Sequence, residues 1–159
     1  VSYIDNNLLP NERILFRTRK HVVIFFFPVL VTILSYYAYD FMHSNPVLLS
    51  LEWVPWLITL ILWGYAGLEF AFSEYAVTNM RIMMREGFFY RHANEMRLSA
   101  ISQVGVSQSL FGQMLNYGLV AINAFGAYDA FSLVAQPFLF QKTVNEQLMQ
   151  LSSRPGSAV

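Results

Sequence analysis

Two long apolar runs interrupt an otherwise mixed chain. Residues 22–39 read VVIFFFPVLVTILSYYAY, eighteen positions without a charge. Residues 53–72 read WVPWLITLILWGYAGLEFAF, broken only by Glu69. As helices they are about 27 and 30 Å long, close to the roughly 30 Å hydrocarbon core of a bilayer. Neither shows a polar face, so neither reads as the amphipathic helix of a soluble domain. A soluble bundle is disfavoured because too little chain remains to cover both. Tyr36, Tyr37 and Tyr39 close the first run, and Trp53 and Trp56 open the second, as interfacial aromatics do. The link from Asp40 to Glu52 is short, which predicts an antiparallel transmembrane hairpin over 21–72. Pro28 is expected to kink the first helix; Pro55 stands near the start of the second, where a missing N–H costs little.

After Ser73 the pattern changes to short runs separated by turn residues. SEYAVT alternates; RIMMRE ends at Gly87 and FFYRHA follows, which predicts a hairpin through Glu86 and Gly87. ISQVGVSQS carries Ile101, Val104 and Val106 as its apolar members. SLFGQMLNYG reads as a loop with one helical turn, and LVAINAFG and DAFSLVA as two further strands. Pro137 then opens a helix in which Leu139 or Phe140, Val144, Leu148 and Leu151 recur at helical spacing. Residues 73–151 are thus expected to form a small barrel or split barrel capped by a C-terminal helix. Residues 152–159 are expected to be a disordered tail. ERILFRTR, within the juxtamembrane segment 1–20, also has strand character and is expected to return and complete the barrel. The fold class is therefore an α+β membrane protein.

Composition sharpens this division. Hydrophobic residues make up 55% of the chain and charged residues 13%, against about a quarter in soluble domains. The deficit is local: between His21 and Phe72 the formal charges are Asp40, Glu52 and Glu69. Arg13, Arg17, Arg19 and Lys20 precede the first run and the connecting loop has no lysine or arginine, which places both termini in the cytoplasm. Twenty mostly polar residues come before that run, so no signal peptide is expected. Formal net charge is zero, which offers no global attraction to nucleic acid. Cysteine is absent, and with it any disulfide or thiol chemistry.

The opening strand EYAVTN-R, the REG turn, the later V-QS–G and YG positions, and the upstream LLPNERILFRTRKH followed by a hairpin resemble the membrane-anchored branch of the bacterial pleckstrin-homology-like domain family. The resemblance implies a curved seven-stranded barrel with a C-terminal helix, at the bacterial inner membrane, and no established activity. Met80 stands where many relatives carry lysine, which weakens a phosphoinositide-type basic loop.

No catalytic or cofactor pattern rises from the residues. His21, His43 and His92 lie in different regions, Gly112 to Gly118 lacks the lysine and serine of a phosphate cradle, and no metal spacing occurs. An enzyme is not expected, and no cofactor or metal. Arg81 and Arg85 share a strand face, with Arg91 on the next strand; they read either as a solvated face or as contacts to anionic headgroups. Gly64, Gly67 and Ala71 form a smooth stripe for helix packing, within the hairpin or between subunits. Glu69, the intramembrane acid, lies one turn from the cytoplasmic end, where it can snorkel or pair with Arg17, Arg19 or Lys20. The expected function is a scaffold or adaptor that self-associates as a homo-oligomer or docks another protein, with anionic-lipid binding as the alternative.

Overall fold

A computed structural model describes residues 2–88 and 92–154. The chain runs α1 (Tyr3–Asn6), β1 (Ile14–Thr18), α2 (Phe26–His43), α3 (Val54–Phe72), β2 (Glu74–Thr78), β3 (Arg81–Glu86), β4 (His92–Arg97), β5 (Ile101–Ser107), α4 (Leu110–Leu115), β6 (Tyr117–Ala124), β7 (Ala127–Ala135) and α5 (Pro137–Ser152). Single 3-10 turns occur at Val22–Phe25, Leu49–Leu51 and Leu98–Ala100. Two compact units result: Val22–Ala71 is one, and Val1–His21 with Phe72–Val159 is the other. The second unit is therefore discontinuous in sequence.

In the helical unit, Val22–His43 and Leu49–Phe72 are both long and apolar enough to cross a membrane. The first helix continues past Tyr39 to His43 and carries Asp40 with it. Pro28 falls in the first turn of α2, after the 3-10 turn, where no intrahelical bond is lost. It marks the entry to the helix rather than an internal kink. The two helices meet through small polar groups. The Ser35 and Thr59 hydroxyls lie 2.7 Å apart, and Ser35 donates to the Pro55 carbonyl at 3.1 Å. The Trp63 indole donates to Thr32 at 3.0 Å, and Phe25 stacks on Trp63. Most large apolar side chains, such as Phe27, Leu34, Leu60 and Ile61, remain exposed within this unit. At the end of α2, His43 Nδ1 meets Glu52 of the connecting segment at 2.8 Å.

The other unit holds two antiparallel sheets, β1-β2-β3-β4 and β5-β6-β7. Tyr75, Val77, Ile82 and Met84 face Val104, Val120, Ile122 and Phe131 across the core, and α5 closes it with Phe140 and Val144. Leu139 stays exposed, so Phe140 is the core residue of that pair. Ile101 and Val104 are three residues apart and would point to opposite faces of a regular strand. A bulge between Ile101 and Gln103 brings both to the core. The β6–β7 turn needs positive φ at Phe125 (41°) and Gly126 (85°), the geometry of a primed two-residue hairpin.

The N-terminal segment belongs to this unit. β1 pairs with β2 from Ile14–Thr78 to Thr18–Tyr75. The chain then reaches β7: Thr18 donates to the Ala135 carbonyl at 2.6 Å, the Ala135 amide to Arg19 at 3.0 Å, and the His21 amide to Leu133 at 2.7 Å. One isolated bridge, Lys20 to Val134, accompanies them. The expected barrel does not close. The sheets stay separate, with four and three strands, because contact along this seam is a crossing rather than a continuous ladder.

Further differences from the sequence reading have local causes. The β3–β4 hairpin closes on the Glu86–His92 pair, and β4 runs to Arg97, which sets Met96 opposite Ile82. The strand expected from Phe88 is thus displaced; Phe88 instead packs its ring 5.0 Å from Phe72, and 89–91 lie outside the described residues. The one helical turn expected after Ser109 is the six-residue α4. β2 is buried at all five positions, not at alternate ones, because α1 covers its outer face. There Ile4, with no exposed surface, packs on Ala76 and Met83 as a second small core. Of the expected tail, 155–159 lie outside the described residues. Ile4→Ala is expected to lower unfolding stability by about 2–4 kcal/mol, the usual cost of emptying a fully buried aliphatic site, as measured by denaturant titration of the purified chain.

Candidate functional site

Strand direction gives the sheet unit two ends. At one end lie the residues that lead into and out of the apolar helices, His21 and Phe72. Thr18, Tyr75, Glu86, Tyr117 and Ala135 share that end by register and hydrogen bonding. At the other lie Thr78, Arg81, Arg97 and the Phe125–Gly126 turn.

The strongest polar construction is at the far end. Glu12 has no exposed side-chain surface. Its carboxylate accepts from Arg81 Nε at 3.0 Å and Arg81 Nη2 at 3.1 Å, a bidentate pair. The Thr78 hydroxyl donates to it at 2.7 Å and the Leu9 amide at 2.8 Å. Arg81 also bonds Glu95 and donates to the Asn7 carbonyl at 2.6 Å, at the end of α1. Asn79 extends the clamp, exchanging bonds with Arg13 and donating to the Asn11 carbonyl. Burial by itself raises the Glu12 carboxyl pKa. The hydrogen bonds from Arg81, Leu9 and Thr78, with the Arg81 charge, outweigh it and leave the group lowered. The hydrogen bond to Glu12 is the main cause of a raised Arg81, against the opposing effect of burial.

Arg81 is therefore committed to the fold and sits at the end remote from the helix junctions. This differs from a solvated or headgroup-facing arginine, and the partner that commits it is 69 residues earlier in the chain. Arg85, four residues on, stands at the junction end, with its guanidinium 5.1 Å from the Tyr3 ring and 5.8 Å from the Phe72 ring. Arg91 lies outside the described residues. Beside Arg85, Lys20 is almost fully buried and meets Glu86 at 3.5 Å, while the Tyr75 hydroxyl donates to the same carboxylate. Sequence reasoning did not single out this second buried pair.

In the helical unit, Glu69 is partly buried three residues before the end of α3. A Cβ added at Gly64 or Gly67 would meet nothing within 4 Å, and Ala71 is exposed. The smooth stripe is thus not where α2 and α3 touch; that contact runs through Ser35, Thr59 and Ala66.

Two surface features stand out at the far end. A shallow cleft of about 380 Å³ is lined by Leu9, Met80, Arg81, Glu95 and Arg97. Phe125 and Tyr128 are 84% and 67% exposed, which is high for large aromatics. No group of three His, Asp or Glu side chains among the described residues could hold a metal.

Two packed sheets closed by a C-terminal helix make up the sheet unit. The chain belongs to the bacterial PH domain family, whose model matches residues 21–146. Domains of this kind are generally non-catalytic binding modules for proteins or lipids. No curated protein matches the chain.

Because Glu12 has a lower pKa folded than unfolded, its contribution is present above the ordinary glutamate value near 4.5 and is lost as pH falls through the lowered value. Glu12→Gln should flatten the acid limb of the stability curve over that window. Arg81→Ala, which strands the carboxylate, should cost about 2–4 kcal/mol in unfolding titrations at neutral pH, with Glu12→Gln partly restoring the loss in the double variant.

Proposed function

We propose that the chain is a non-enzymatic docking module fixed to the cytoplasmic face of the bacterial inner membrane by the α2–α3 hairpin, with both termini cytoplasmic. The observation that carries this reading is the outward placement of the apolar side chains of both long helices. A soluble core helix would bury them; a membrane helix presents them to lipid. On that anchor the sheet unit acts as a scaffold or adaptor. Its far end, opposite His21 and Phe72, offers the Phe125–Tyr128 aromatics, the cleft and the β4 edge to a protein partner or a second copy of the chain. The Gly64–Gly67 stripe, open within the hairpin, gives self-association a route inside the membrane.

The second reading is an anionic-lipid sensor. The placement of Arg85 at the junction end, against the Phe72 ring, supports it, since a cation beside a hairpin entry would meet anionic headgroups. Native mass spectrometry of the protein released from nanodiscs, with bound lipid retained, separates the two. A discrete oligomer is the expected result. A monomer carrying stoichiometric anionic lipid would replace the scaffold reading with the lipid-binding one.

A further inference from the structure

α4 buries its backbone and exposes its side chains. Its buried position is Gly112, where an added Cβ would lie 2.6 Å from the Tyr117 carbonyl. Caps at both ends hold the short helix: Ser109 accepts from the Gly112 amide at 3.2 Å, and Asn116 takes the left-handed conformation at φ 59°. Leu110, Phe111, Met114 and Leu115 are left 79, 71, 82 and 51% exposed. Four large apolar side chains turned outward from a firmly capped helix are a poor surface for water. At the adjoining start of α5, Phe138 and Leu139 are exposed as well, and the Gln136 amide donates to the Asn116 carbonyl at 3.1 Å.

The location of this lip identifies what covers it. Tyr117, directly after the α4 cap, packs its ring 5.2 Å from His21. The next residue, Val22, opens the first apolar run. At the other junction, Phe72 ends α3 and packs against Phe88. Through Tyr117 and His21 the lip thus lies at the end of the sheet unit from which the chain enters the first apolar run. Its charge pattern agrees: no Asp, Glu, Lys, Arg or His occurs from 98 to 128, a stretch that includes all of α4. A protein-docking surface usually carries a polar, charged rim, whereas an apolar edge at a membrane entrance suits the headgroup–acyl boundary.

We infer that α4, with the first turn of α5, is a second membrane contact that dips into the lipid interface and fixes the tilt of the sheet unit on the bilayer. The inference rests on the membrane-hairpin reading and adds to it. The hairpin alone tethers the domain through two chain crossings. A lip seated in lipid would turn the tether into an oriented mount, with Phe125 held about 26 Å away at the strand rise of β6.

The chain has no cysteine, so single labels are clean. Met114→Cys, Phe125→Cys and Ile61→Cys all lie at exposed positions. Each variant would carry an environment-sensitive NBD label in vesicles of phosphatidylcholine and phosphatidylglycerol, with and without brominated acyl chains. Blue-shifted emission with a comparable loss in brominated lipid at 61 and 114, and aqueous, iodide-quenched emission at 125, is expected. An aqueous label at 114 with a quenched label at 61 overturns the lip and leaves the hairpin standing. An aqueous label at 61 overturns the hairpin and the lip together. Brominated-lipid quenching at 125 as well as 114 overturns the upright mount.

Discussion

A carboxylate taken out of water must be matched by charge and hydrogen bonds, or it will not stay ionised. Glu12 is matched by the Arg81 fork, the Thr78 hydroxyl and the Leu9 amide. That requirement joins residues 12 and 81 across the whole hairpin and makes the N-terminal segment part of the sheet unit. With Glu12 in place, α1 lies over β2, Ile4 seals the outer face, and β1 enters register against β2. The same segment then reaches β7 through Arg19 and His21. The chain leaves and re-enters the unit at one end, at His21 and Phe72, so both apolar helices join the sheet unit there.

The two ends divide the chemistry. The Arg81 clamp stands at the far end and belongs to stability; the motif by which the sequence resembled its family, EYAVTN-R with LPNER, is largely this clamp. Arg85 and the Lys20–Glu86 pair stand at the end where the chain enters and leaves the apolar helices. Apolar exposure occurs at both ends, and its setting differs. Phe125 and Tyr128 stand at the β6–β7 turn, at the far end, whereas the α4 lip stands at the end that holds His21.

Much of the architecture was legible because it depends on local pattern. The apolar runs announced themselves by length, α5 by a 3.6-residue period and a leading proline, and β6 and β7 by alternation around Gly126. What stayed hidden depends on distant partners. The even spacing of Arg81 and Arg85 placed them on one face, yet nothing local shows that Glu12 covers Arg81. SEYAVT looked half-buried because the helix that covers its other face lies in a segment that reads as polar. The bulge at Ile101 was signalled only by an awkward three-residue spacing, and barrel closure was inferred from strand number, which does not determine edge pairing. The two glycines of SLFGQMLNYG read as a loop with one helical turn, and nothing local shows that its apolar side chains face outward.

The central claim, that the segment before the first apolar helix is structural and completes the sheet unit, is tested most directly by hydrogen–deuterium exchange of the full chain in nanodiscs. Peptides covering residues 12–21 are predicted to exchange as slowly as those covering β2 and β3, because they open only when that unit opens. Exchange over 12–21 at the rate of an unstructured peptide, with β2 and β3 still protected, would show that the segment is a loose leader and would contradict the account.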